Sequence, residues 1–221
     1  ARDVLQPRVD GDRASAAFPW LSGKAVSGGT AQAHALRVNF VGELGWELHH
    51  PIEMQTTIFD LLMKEGARHG LKPYGARAMN AMALEKSYRN MGRELSVEYA
   101  ALESGLDRFV RPDKGDFVGR EGLAAWGRRG FANRFVTMEV HGVTDADARG
   151  SEPLTRNGEL VGRATNGGFG WRLGKSLALG MVRPDLAAVG TELDIAILGE
   201  KRRAVVIPDS PFDPENARLR A

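Results

Sequence analysis

The chain changes its hydrophobic rhythm near residue 130. Up to that point, apolar positions recur at helical spacing between glycine- and proline-marked turns. After it they fall into short runs of about strand length, separated by glycine. Residues 1–6 read as helix and 7–17 as a polar irregular stretch, and Phe18-Pro19-Trp20-Leu21 is an apolar anchor. Val26 precedes a Ser27-Gly28-Gly29 turn, and Ala33 to Val41 reads as a strand. Pro51 is suited to a first helical position, and Ile58, Leu61, Leu62 and Glu65 then mark one face of a helix that Gly70 can end. A second helix is predicted over Ala76 to Lys86 with Met79, Met82 and Ala83 inward, and the 87–92 segment closes it. A short helix over Glu98 to Asp107, a charged loop over 108–117, and a helix from Gly119 to Trp126 broken at Gly127 complete the first part.

From Phe131 the predicted elements are strands at 135–141, 159–165, 177–181, 192–197 and 204–208. Asn157-Gly158 supplies a two-residue hairpin turn between 154–156 and 159–161. The fold class expected is α+β: an α/β segment over 1–130, then a small antiparallel β-barrel or sandwich over 131–221.

Composition narrows the function. A net charge of +2 makes no strong field for nucleic acid or an anionic membrane, so neither is expected as a partner. The absence of cysteine excludes disulfides, thiolate metal sites and cysteine nucleophiles. No apolar run approaches the roughly 18 residues of a spanning helix. The five histidines lack zinc-ligand spacing, and no metal is expected. Arg128-Arg129 and Lys201-Arg202-Arg203 have no interleaved aromatics and read as solvated turns, with contact to an anionic polyglutamate tail as an alternative. The first residues read as a helix already under way without a cap, as expected of a piece of something longer.

The stretch richest in candidate chemistry is Val38 to Pro51, V-N-F-V-G-E-L-G-W-E-L-H-H-P. It reads as an apolar strand that turns through Gly42 and Gly45 and sets Glu43 and Glu47 beside Trp46. An aromatic face and a carboxylate after a tight turn can grip a planar heterocycle. The same residues also suit a plain hairpin turn with one buried Trp and two solvated Glu. Arg77, in the first turn of a helix whose dipole opposes a cation, suits a carboxylate from Glu47 or from a ligand, or else a solvated position without a role. Tyr88 suits either a pocket wall or packing at the helix end.

Three blocks, V-N-F-V-G-E-L-G-W-E-L at 38–48, G-A-R-A-M-N-A-M-A-L-E-K-S-Y-R at 75–89 and a tail over 152–218, give the chain its family character. The tail carries E-P-L, V-G-R-A-T-N-G-G-F-G, K-S-L-A-L-G-M-V and S-P-F-D-P-E-N-A-R. The chain resembles the C-terminal, tetrahydrofolate-binding part of the aminomethyltransferase family, which includes the glycine cleavage T-protein and the folate domains of dimethylglycine and sarcosine dehydrogenases. G-E-L-G-W-E-L-H and S-P-F-D-P look more like the dehydrogenases.

The resemblance implies the second half of a folate-binding domain over 1–130 and a C-terminal barrel over 131–221. It places the pterin-binding glutamate on Glu47 and the family's arginine on Arg77, with Phe40, Trp46 and Tyr88 as further folate-binding candidates. Phe40 stands where the T-protein has a tyrosine, so that hydroxyl is lost. The family's catalytic aspartate would lie upstream of Ala1, leaving no catalytic residue assigned here, and Glu43 is the nearest spare carboxylate.

Tetrahydrofolate is the implied cofactor. FAD belongs to the parent enzyme and not to this segment, which has no strand–G-x-G-x-x-G–helix unit. The implied function is capture of a one-carbon unit from an N-methyl amine as 5,10-methylenetetrahydrofolate, inactive in this piece alone. The alternatives are a T-protein aminomethyltransferase and a non-catalytic folate-binding module. The implied partners are folate and the N-terminal remainder of the enzyme or a chain supplying it. The implied compartment is the cytoplasm, or the mitochondrial matrix in a eukaryote.

Overall fold

A computed structural model describes residues 1–8, 11, 14–28 and 31–221. The chain divides into two compact units, Ala1–Asn80 with Asp213–Ala221, and Ala81–Phe212. The fold is α+β, with helices, a small sheet and a closed antiparallel barrel.

The first unit begins with the short helix α1 (Arg2–Leu5). Its sheet has the order β1 (Gly23–Gly28), β2 (Ala31–Leu36), β3 (Glu47–His49), all antiparallel. β2 sends Ala31, Ala33 and Ala35 inward and Gln32 and His34 outward, the signature of a half-buried strand. Phe18, Val26, Ala33 and Ala35 form the core, with Trp46, Leu48 and Ile58 packed against it. Helix α2 (Gln55–Gly66) is followed by a 3-10 turn, Ala67–His69, that Gly70 ends at φ 68°.

Three details of this unit differ from what the sequence suggests. The strand expected to run to Val41 stops at Leu36, because the Asn39 side chain accepts the N–H groups of Val41 and Gly42 at 3.1 and 2.8 Å and turns the backbone. Pro51 precedes the helical turn Ile52–Met54 instead of opening it, since its ψ of 146° is extended. Ser27 and Gly28 continue β1 in place of a turn, while Gly29 and residues 9, 10, 12 and 13 of the expected irregular stretch lie outside the described residues.

Helix α3 (Ala76–Leu84) leads into the second unit. Its expected inner face is only partly buried: Ala83 is fully buried, Met82 half-buried and Met79 exposed. The helix expected over Glu98 to Asp107 is a series of turns. Two buried carboxylates explain it. Glu103 accepts the N–H groups of Ala100, Ala132 and Asn133 at 2.9, 3.1 and 2.9 Å, and Glu94 accepts the Asn90 N–H and the Thr165 hydroxyl. Side chains that take up backbone donors in this way compete with helical hydrogen bonding. Helix α4 (Arg120–Arg129) runs through Gly127 and ends at Gly130, φ 87°.

The barrel is formed by β4 (Arg134–Val140), β5 (Pro153–Arg156), β6 (Glu159–Gly170), β7 (Lys175–Val182), β8 (Glu192–Ile197) and β9 (Glu200–Ile207). They close in the order β4-β7-β6-β5-β8-β9, the last pair running from Thr137 opposite Ile207 to Val140 opposite Ala204. Closure leaves no edge strand unpaired. Asn157 (φ 53°) and Gly158 (φ 83°) make the predicted two-residue turn between β5 and β6. Val136, Met138, Leu154, Ile195 and Val206 are among the residues filling the interior. Lys201, Arg202 and Arg203 lie in β9 and not in a turn, ion-paired with Asp194, Asp145 and Glu192. The chain ends in α5 (Ala217–Arg220), which belongs to the first unit. Among the described residues no helix is long and apolar enough to cross a membrane.

Candidate functional site

The loop between β2 and β3 carries the candidate chemistry, and sequence parity explains its root. Arg37 falls on the same inward parity as Ala31, Ala33 and Ala35, and its side chain is 2% exposed. There it donates to the carbonyls of Phe18 (2.7 Å), Arg220 (3.2 Å) and Ala221 (2.9 Å). Burial, then the charge of Arg2, pushes its guanidinium below the usual arginine range. After the Asn39 turn the chain passes half-buried Phe40 and reaches Gly42, at φ 71°.

Trp46 is half-buried, its ring centroid 6.1 Å from that of Phe18 and 5.9 Å from the Arg37 guanidinium. Its indole N–H is buried without an acceptor among the described residues.

Glu47 opens β3 opposite Leu36, and about half of its side chain faces solvent. Its protein contact is Nε2 of His49, at 3.3 Å. Arg77 lies in the first turn of α3, exposed, with no hydrogen bond or ion pair to another described residue. The two residues therefore make no ion pair with each other, and the carboxylate partner expected for Arg77 is not supplied by Glu47. Glu43 is not a spare carboxylate: Nε of Arg218 lies 3.0 and 2.8 Å from its two oxygens. Tyr88 sits in the second unit just past α3, half-buried, its backbone N–H donating to the Ala83 carbonyl at 3.0 Å.

Glu47 and Trp46 are thus adjacent on a pinned loop, with Phe40 on the same loop and Arg77 on a separate element of the same unit. An exposed carboxylate beside an indole can accept paired hydrogen bonds from a planar N–C–N edge. Reading the sequence missed Arg37 and Arg218. The parity of β2 could have exposed the first. Nothing local marks the second, whose partner is 175 residues away.

Together, a sheet-and-helix unit and a closed barrel of six antiparallel strands define an aminomethyltransferase-like architecture. Residues 1–114 match the GCVT N-terminal domain and residues 133–213 the glycine cleavage T-protein C-terminal barrel domain, and the chain belongs to this glycine cleavage T-protein family. Over all 221 residues it is 34% identical to dimethylglycine dehydrogenase, mitochondrial, of Homo sapiens, covering 25% of that protein. It is 34% identical over 229 aligned residues to sarcosine dehydrogenase, mitochondrial, of Mus musculus, again covering 25%. With the aminomethyltransferase of Desulfitobacterium hafniense (strain Y51) it shares 30% identity, covering 94% of this chain and 56% of that one. The crystal structure of glycine cleavage system aminomethyltransferase T from Bartonella henselae superposes with a TM-score of 0.75 at 22% identity, over 82% of this chain and 50% of that chain, which establishes the fold. The chain thus spans about a quarter of the length of the dehydrogenases it matches and about half that of the aminomethyltransferase.

Proposed function

We propose that this chain is the tetrahydrofolate-facing portion of an enzyme that demethylates N-methyl amines, in the manner of dimethylglycine or sarcosine dehydrogenase. Its product would be 5,10-methylenetetrahydrofolate. The observation that carries the reading is the division of labour between the two glutamates of one loop. Glu43 is engaged by Arg218, while Glu47 stands half in solvent beside Trp46. The groups fit a reduced pterin: Glu47 as acceptor for the ring amide and exocyclic amine, Trp46 and Phe40 as apolar surface, and Arg77 as an exposed cation. Tyr88 joins them only as a family expectation.

In this reading the chain binds and orients the folate and leaves the one-carbon chemistry to groups it does not contain. Bound folate supplies the nucleophilic nitrogens, and Glu47 fixes the ring by its donor edge. The group that handles the proton at the attacking nitrogen, and the FAD that oxidises the amine, come from the rest of the parent polypeptide. The functional boundary falls near Gly130, and the parent enzyme works in the cytoplasm or the mitochondrial matrix. The T-protein reading keeps the same folate site without flavin. It draws support from the similarity to the Desulfitobacterium hafniense aminomethyltransferase.

Calorimetric titration of tetrahydrofolate into the polypeptide that carries this chain tests the binding, and the visible spectrum of that polypeptide decides between the two enzymes. Saturable binding with a flavin band supports the dehydrogenase reading. Binding without flavin supports the aminomethyltransferase. No binding rejects both.

A further inference from the structure

Segment 213–221 lies far along the chain from the loop between β2 and β3, yet it grips that loop at two points. At the root, buried Arg37 donates to the carbonyls of Arg220 and Ala221, and the Arg2 guanidinium and the Ser15 hydroxyl donate to the same Ala221 oxygen at 2.9 and 3.1 Å. Near the tip, Nε of Arg218 makes a bifurcated hydrogen bond to both oxygens of Glu43. Arg218 is itself held in place, because Asp213 accepts the backbone N–H groups of Ala217 and Arg218 at 3.0 Å each and so fixes the first turn of α5. The bond from Arg218 to Glu43 raises the arginine further above its usual range, with Asp213 adding to the effect.

We propose that Arg218 is a positioning residue for reduced-folate binding: its hold on Glu43 fixes the turn that presents Trp46 and Glu47 to the ligand. The inference rests on the folate reading of Glu47. Arg218 itself touches no ligand in this account.

The pair between Arg218 and Glu43 lies at the surface. With side chains 58% and 34% exposed, the pair adds little to global stability. Its effect is local, because a loop opens in small cooperative steps that one anchor can suppress without changing the melting of the whole unit. The root is already fixed by Arg37 and by the Asn39 turn. The tip has Arg218 as its long-range ionic tether.

The test compares Arg218→Gln, Glu43→Gln, Arg218→Lys and the exchanged pair Glu43→Arg with Arg218→Glu, all in the polypeptide that carries this chain. Amide hydrogen exchange of residues 41–48, thermal melting and tetrahydrofolate titration are measured on each. Either Gln variant is expected to accelerate exchange in 41–48 several-fold, on the order of 5-fold, with the melting temperature unchanged. Each is expected to weaken tetrahydrofolate binding about 3- to 10-fold, as for one lost hydrogen bond. Arg218→Lys and the exchanged pair should recover part of both effects. Exchange in 41–48 that matches the wild type in both Gln variants overturns the proposal, as does a loss of affinity that tracks a fall in melting temperature. If the wild type binds no tetrahydrofolate, the folate role of Glu47 and the ligand half of this proposal fall together, while the exchange data still decide whether Arg218 fixes the loop.

Discussion

Several carboxylates in this chain hold backbone N–H groups, and Glu85 is among them. Glu85 is 1% exposed and lies against Nε of Arg172, while its Oε1 accepts the N–H groups of Arg172 and Leu173 at 2.6 and 3.3 Å. Arg172 continues the contact, donating to the Met82 carbonyl at 3.0 Å and stacking 3.8 Å from the centre of the Phe212 ring. Removing Glu85 leaves the Arg172 charge without its counter-ion and two amide donors without an acceptor. Glu85→Ala is therefore expected to cost about 3 kcal/mol, toward the low end for a broken buried pair because Arg172 keeps a fifth of its side chain in water. Urea unfolding checks this, and a change near zero would show that water replaces the carboxylate. The sequence displays Glu85 inside a helical pattern, but neither its burial nor its partner 87 residues away can be read there.

Strands with glycine between them were legible, because their spacing follows from local backbone preference alone. The six-stranded barrel, its Asn157-Gly158 turn and the long helix after Pro51 all come from such local signals. Two of the failures share one cause, a side chain that overrides the local preference of its neighbours. Asn39 ends a strand early, and Glu103 unmakes a helix by holding the N–H groups of distant Ala132 and Asn133, while Glu94 takes the nearby Asn90 N–H and the distant Thr165 hydroxyl.

Two glycines separate the ways an element can require this residue. Gly158 faces open space but has a φ of 83°, so Gly158→Ala should cost about 1–2 kcal/mol through backbone conformation alone. At Gly162, where β6 lies against β7, an added Cβ would stand 2.3 Å from the Met181 carbonyl oxygen and 2.9 Å from the Val182 Cα. Backbone atoms cannot swing aside, and Gly162→Ala should lose about 1–3 kcal/mol by overpacking. Thermal melts of both variants check the pair, and a neutral Gly162→Ala would mean that the barrel shifts its register at little cost.

At the scale of the molecule, the chain joins a sheet-and-helix unit to a barrel and spans about a quarter of the dehydrogenases it resembles. The candidate site was partly legible for a physical reason. A glycine turn followed by Trp46 and Glu47 is a local pattern, whereas the links of Arg37 and Arg218 are tertiary and appear only once the chain is folded.

One-carbon capture needs a positioned acid or base and a source of iminium. With Glu43 engaged by Arg218, the chain alone should show no rate above background when supplied with tetrahydrofolate and formaldehyde. Enhancement abolished by Glu43→Gln would place the catalytic group in this loop instead. The central claim, that Glu47 binds the pterin, is tested most directly by calorimetric titration of tetrahydrofolate into wild type and Glu47→Gln in the polypeptide that carries this chain. The account predicts a loss of about 1.5–3 kcal/mol, the scale of a hydrogen bond to a charged group, with melting unchanged. Equal affinity in the two proteins would contradict it.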